Sequence, residues 1–183
     1  MTRPLRQDAA RRRADILDAA RIVFAESGLE APLDLVAERA GVGRATLYRN
    51  FSDRYVLALA VFADQLDQLA DRTQARGDDP QAFFAFINDL ADLQVRNAGL
   101  AAALRAPSSA EMLAQVRRTL VEAGGPPLAR AQAAGLVRPD LGPEDIRAIA
   151  LMLSSAANAV GTDPQAMSER ARMIVLEGLR TRP

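Results

Sequence analysis

Apolar residues along this chain recur every three to four positions, the spacing that gathers them on one face of a helix. No stretch alternates apolar and polar residues long enough to make a strand. Ile16, Leu17, Ala20, Val23 and Phe24 make the first such stripe, which predicts a helix over about residues 7–27. Gly28 stands where a helix closes through a left-handed residue. Two short helices are expected next, over 32–40 and 44–50, split by Gly41-Val42-Gly43. Ser52 or Asp53 can cap a longer helix reaching to about residue 76, where Gly77-Asp78-Asp79-Pro80 ends it.

The second half repeats the pattern with longer stripes. Phe83, Phe84, Phe86, Ile87, Leu90 and Leu93 mark a helix that Ala98-Gly99 interrupts, and a short segment over 100–105 follows. Pro107-Ser108-Ser109 opens another helix through Met112, Leu113, Val116 and Leu120. Gly124-Gly125-Pro126-Pro127 reads as the strongest break of this half, ahead of a segment over 128–134 and a loop over 135–143. Two last helices are expected over 143–160 and 164–180, the latter capped by Asp163 with Pro164 in its first turn. The sum is an all-α chain of about nine helices. An N-terminal three-helix unit takes residues 1–54 and a helical body takes 55–183.

Residues 35–51 have the build of a helix-turn-helix. Two short helices meeting at a steep angle need a tight turn, and Gly41 supplies the positive φ for it. Ala37 and Ala40 are small enough for close approach, and Val42 fills the space between the helices. Leu47 and Phe51, four apart, face the core, so Arg44, Ala45, Thr46, Tyr48 and Arg49 point outward. Such a face suits the major groove, with Arg for guanine edges or phosphates, hydroxyls for phosphates and Ala for a thymine methyl.

Composition narrows the remaining possibilities. The 183 residues contain no cysteine and no histidine, and every one of the 23 basic residues is Arg. Disulfides and the usual zinc, haem and iron–sulfur ligand sets are excluded, as are Ser-His-Asp and Cys-His catalysis and any lysine Schiff base. No enzyme, no cofactor and no metal are expected. No apolar run approaches the ~20 residues of a membrane helix. Met1 to Asp15 lacks the apolar core of a secretory signal, so a cytoplasmic protein is expected. Formal net charge is +0, yet residues 1–54 carry 10 Arg against 8 acids and the rest 13 against 15. Arg3, Arg6, Arg11, Arg12 and Arg13 stand against Asp8 alone. A basic tip on a neutral body suits an anionic partner at one end, and a solvated terminus equally well.

The run Ala40-Gly41-Val42-Gly43-Arg44-Ala45-Thr46-Leu47-Tyr48-Arg49-Asn50-Phe51 resembles the signature of tetracycline-repressor-like (TetR-family) regulators. So do Ile16-Leu17-Asp18-Ala19-Ala20 and Phe24-Ala25-Glu26-Ser27-Gly28. The specific match covers the first third of the chain; the body matches only in helix count and in the turn Gly135-Leu136-Val137-Arg138-Pro139-Asp140. The resemblance implies an Ω-shaped homodimer with two DNA-reading heads and a ligand pocket in each body. It implies a recognition helix at 44–50, a phosphate-contacting Tyr48 and a basic Arg54 opening the next helix. It further implies a repressor released from a palindromic operator in double-stranded DNA by a small-molecule effector. Pro32 and Gly43 depart from the family's usual hydroxyl residues and lack the hydroxyl for a phosphate contact, and Asn50 replaces a frequent His. Gly43 still serves as an N-cap and Asn50 can still donate to a phosphate. Arg11 and Arg12 are then expected to reach the DNA backbone or minor groove as part of an N-terminal arm.

In the body, Phe83, Ile87, Leu90, Gln94 and Asn97 form one stripe that turns from apolar to amide. Phe62, Leu66, Met112 and Val116 could line the same cavity. Such a stripe suits an apolar ligand pocket with a few orienting groups, and core packing with an exposed helix end equally well. A dimer face is expected from Ile149, Leu153, Ala157 and Val160 on one helix and Met167, Ala171, Ile174, Val175 and Gly178 on the next. The two helices of each protomer would build a four-helix interface, with packing inside one chain the alternative. A competing reading of the whole is a ligand-sequestering or protein-interaction module whose head no longer reads DNA.

Overall fold

A computed structural model describes residues 3–98, 103, 110–161 and 163–181, with side chains from Asp8 onward. Among these residues the chain forms eight helices. They are α1 (Arg3–Ser27), α2 (Leu33–Arg39), α3 (Arg44–Asn50), α4 (Arg54–Ala75), α5 (Ala82–Arg96), α6 (Ala110–Ala133), α7 (Pro143–Ala157) and α8 (Pro164–Leu179). The segment expected over 100–105, and the start expected at Pro107-Ser108-Ser109, lie outside the described residues apart from Ala103. Two compact units result: Met1–Asp64 with Gly99–Leu113, and Gln65–Ala98 with Ala114–Pro183. The helices α4 and α6 each contribute to both.

The first unit folds around the stripe seen in the sequence. Ile16, Ala20 and Val23 of α1 pack with Leu33, Val36 and Ala37 of α2, Leu47 of α3, Phe51, and Leu57, Ala60 and Val61 of α4. Val42 packs partly buried against this core. Gly28 (φ 77°) and Gly41 (φ 64°) hold the left-handed backbone that ends α1 and turns α2 into α3. The arginine-rich start is not an extended arm: α1 is already helical at Arg3. Arg, Ala and Leu are good helix formers, and this run holds no glycine to stop the helix earlier.

The second unit is built on α5, α7 and α8, which pack against one another. Phe83, Phe86, Ile87 and Leu90 are fully buried, with the Phe83 and Phe86 rings stacked at 6.3 Å. From α7 come Ile146, Ile149, Ala150 and Leu153, and from the end of α8 Leu179. After α6 the chain turns at Gly135 and is pinned to the end of α8, where the Arg138 N–H donates to the Leu179 carbonyl at 3.0 Å. Asp163 caps α8 by accepting from the Gln165 N–H at 2.9 Å, as its position predicts.

One expectation fails outright. Gly124-Gly125-Pro126-Pro127 does not break the chain; α6 runs straight through it. The prolines forfeit the bonds their N–H groups would make to the Glu122 and Ala123 carbonyls. Gly125 eases the junction, because it has no Cβ to meet the ring of Pro126. Gly124 brings the helix close to its neighbours: a Cβ there would lie 2.8 Å from Phe86 Cε1 and 2.9 Å from Ile146 Cδ1. Burial of Pro127, Leu128 and Ala131 on the same helix offsets the lost bonds.

Candidate nucleic-acid interface

The turn into α3 is closed by its own backbone. The Ala40 N–H donates to the Val36 carbonyl at 2.9 Å and the Val42 N–H to the Ala37 carbonyl at 3.0 Å. Gly43 is extended at the N-cap, and its carbonyl receives the Thr46 N–H at 2.9 Å, so α3 starts without a side-chain cap. Leu47 is 1% exposed and Phe51 1%, which fixes the rotation of the helix. Arg44, Ala45, Tyr48, Arg49 and Asn50 consequently stand exposed, and Thr46 is half-buried. Tyr48, at 46% exposed, is an unusual residue to leave in water unless its ring and hydroxyl have a partner to meet.

Several of these side chains are already ordered. Arg49 Nη2 donates to Thr46 Oγ1 at 2.9 Å, and Asn50 Nδ2 to the Thr46 carbonyl at 2.8 Å. Arg44 Nε lies 2.7 Å from Oδ1 of Asp34 on α2. Arg54, expected as the basic residue opening this helix, has partners within the chain. Its Nη1 donates to the Leu29 carbonyl at 3.2 Å and to Glu30 Oε2 at 2.9 Å, so it braces the α1–α2 connection. Asp53 caps α4 through the N–H groups of Tyr55 and Val56, both at 2.9 Å. On α1, Arg11 and Arg12 are exposed, whereas Arg13 lies 4.5 Å above the Phe51 ring and closes the core beneath α3. The pairings of Asp34 and Arg13 are not evident in the sequence, because their partners lie 10 and 38 residues away.

The residues expected to line a ligand pocket divide. Phe62, Leu66, Phe83, Ile87, Leu90 and Val116 are buried at 0–8% exposure and are core. Met112 is half-buried against the core of the first unit. Asn97 Nδ2 donates to Gln65 Oε1 at 3.2 Å, and Gln65 Nε2 to Asn97 Oδ1 at 3.3 Å. Gln94 Nε2 points to the Ala150 carbonyl at 3.5 Å. The amides thus satisfy the protein's own groups. A cleft of about 510 Å³ opens elsewhere in the second unit, between the end of α4 and α6. Ala70, Asp71, Gln74 and Asp78 wall one side, and Thr119, Glu122, Pro126 and Arg130 the other. The Arg130 Nε is buried there with no hydrogen-bond partner among the described residues. Among the described residues no group of three or more acids could hold a metal ion, and no helix is long and apolar enough to cross a membrane.

The expected dimer stripe also divides. Ile149, Leu153 and Ala157 are 2–4% exposed, covered by their own chain, because this face of α7 packs on α5 and α8. Val160 (97%), Ile174 (59%) and Met167 (38%) are exposed, Gly178 is exposed, and Ala171 and Val175 are half-buried. Leu151 (66%), Met152 (52%) and Met173 (53%) are also exposed, on the opposite side from the predicted stripe. In the turn before α7, Asp140 accepts from Arg138 Nε at 2.7 Å. That hydrogen bond holds the Asp140 carboxyl below the usual carboxylate range and raises the Arg138 guanidinium.

Residues 16–61 match the family model described as bacterial regulatory proteins, tetR family, and residues 78–181 match the SbtR-like transcriptional regulator C-terminal domain. The crystal structure of a TetR transcription regulatory protein from Mycobacterium vanbaalenii is 32% identical over 97% of this chain and 100% of its own, with a TM-score of 0.67. A TetR regulator from Streptomyces coelicolor is 31% identical over 93% of this chain and 99% of its own, with a TM-score of 0.63. The HTH-type transcriptional activator FasR of Mycolicibacterium smegmatis is 36% identical over 88 residues, which is 42% of this chain and 40% of that protein's length. With both parts of the chain matched and whole-length relatives above 30% identity, the protein belongs to the TetR family of transcriptional regulators.

Proposed function

We propose that this regulator is a homodimeric repressor that reads a palindromic operator with α3 and leaves it when a small molecule binds the helical body. The observation that carries the reading is α3 itself, a short helix whose exposed side is Arg44, Ala45, Tyr48 and Arg49 over a buried Leu47. In this reading residues 1–54 are the DNA-binding part, with Gly43, Thr46 and Asn50 completing the contact surface and Arg11 and Arg12 adding phosphate contacts. Residues 55–183 are the ligand-binding and dimerisation part. The cleft between α4 and α6 is a candidate for the effector, and the apolar surface of Leu151, Met152, Met173 and Ile174 for the second protomer. A C2 pair of heads meets a two-fold DNA site, which is why dimer and palindrome go together.

The test is selection of bound sequences from a random duplex library at moderate salt. Recovery of a palindrome, with binding that weakens as salt rises, is the expected result. Sequence-blind retention, or none, would mean that the head does not read DNA and that the chain sequesters a ligand or a protein instead. A reporter driven from the recovered site separates repression from the activation that FasR carries in its name.

A further inference from the structure

The first turn of α2 carries a carboxylate close to the surface that α3 offers to DNA. Asp34 Oδ1 lies 2.7 Å from Nε of Arg44, which opens α3. An acid beside a phosphate-binding surface weakens binding, unless it changes what its partner does. The contact is an ion pair made at Nε, away from Nη1 and Nη2. Among the described residues nothing besides Asp34 pairs with Arg44, so the Nη1–Nη2 edge is the one available to a base. That edge is the fork that grips guanine O6 and N7. Arg49 differs, since its Nη2 is already taken by Thr46 Oγ1.

We infer that Asp34 is a specificity-determining residue that acts through Arg44, holding it for guanine and cancelling its charge elsewhere. The inference rests on α3 being the DNA reader. In the free protein both side chains are largely exposed, at 71% and 54%, and the pair is weak there. Docking on a base pair expels water, lowers the local dielectric and strengthens the pair while Arg44 is in place. On sequence-blind DNA the same carboxylate neutralises one arginine per head, so the phosphate backbone gains little from it. Both effects widen the gap between operator and bulk DNA.

The experiment compares the unmodified protein with Asp34→Asn, Arg44→Ala and the double variant in the same random-library selection. It adds affinities for the recovered site and for a scrambled duplex across salt. Asp34→Asn is expected to keep the palindrome but relax one guanine position in each half-site. The ratio of specific to non-specific affinity should fall by about tenfold, and non-specific binding should strengthen with a steeper salt dependence. Asp34→Glu, which keeps the charge, should restore weak non-specific binding. In the Arg44→Ala background, Asp34→Asn should leave base preference unchanged. Unaltered base preference in Asp34→Asn, or an effect of equal size without Arg44, overturns the inference. Failure of the unmodified protein to select any palindrome overturns the reader assignment of α3, a result distinct from either.

Discussion

Tyr48 and Arg49 stand exposed on either side of the helix turn that buries Leu47, so their removal touches surface and not core. Arg49→Ala should weaken operator binding by about 1–3 kcal/mol, and stability should move by less than about 0.5 kcal/mol. Fluorescence anisotropy on the selected duplex, with a melting curve of the free protein, measures both. Parallel loss of fold and binding would remove Arg49 from the reading surface. A second residue-scale effect sits at Asp140, whose carboxyl titrates below the normal Asp range because Arg138 donates to it. A depressed folded pKa contributes stability above the unfolded value of about 3.9 and loses it as pH falls through the folded value. The stability gap between the native chain and Asp140→Asn should therefore be present at neutral pH and shrink on acidification below that range. Denaturant titrations at several pH values check it.

At the scale of elements, α6 is the informative case. Its Gly-Gly-Pro-Pro run carries the strongest stop signal of the second half, yet the helix passes through it. A stop signal is local, and what overrides it is a contact with Phe86 and Ile146, residues 38 positions before and 22 after Gly124. Gly124→Ala gains about 1 kcal/mol of helix propensity, but it drives a Cβ to 2.8 Å from a buried ring, an overpacking of about 1–3 kcal/mol. We expect a net loss near 1 kcal/mol. Pro126→Ala, at an exposed position, restores a backbone donor to the Glu122 carbonyl and should stabilise by about 1–2 kcal/mol, after the entropy it returns to the unfolded chain. Chemical denaturation of both variants should give opposite signs. The reading head was far more legible, because its turn and the facing of α3 are set locally: Gly41 in the turn, Leu47 and Phe51 one helical turn apart, Asp53 at a cap. Asp34, Arg13 and the exposed face of α7 were not legible, since each depends on which long-range neighbour covers which side of a helix. The amphipathic stripe through Ile149 and Leu153 marks the side buried within one chain, and the apolar residues on the other side stay exposed.

At the scale of the whole molecule, the exposed apolar residues of α7 and α8 set the expected assembly. Ile174 is 59% exposed, so Ile174→Glu leaves the chain's own core intact. Sedimentation should show the native protein as a dimer and this variant shifted to monomer with an unchanged helical spectrum. An unchanged dimer would move the interface to another surface. Half-site affinity should survive in the monomer, whereas affinity for the full palindrome should drop by orders of magnitude. The continuity of α4 has a mechanical consequence. At 22 residues it is a rod about 33 Å long. Asp53 caps its start, Arg54 ties its first turn to the α1–α2 connection, and near its other end Ala70, Asp71 and Gln74 form a wall of the cleft. A helix resists stretching far better than a loop does. A shift of α4 along its own axis at one end would therefore reach its other end nearly undiminished, with no relay of side chains between.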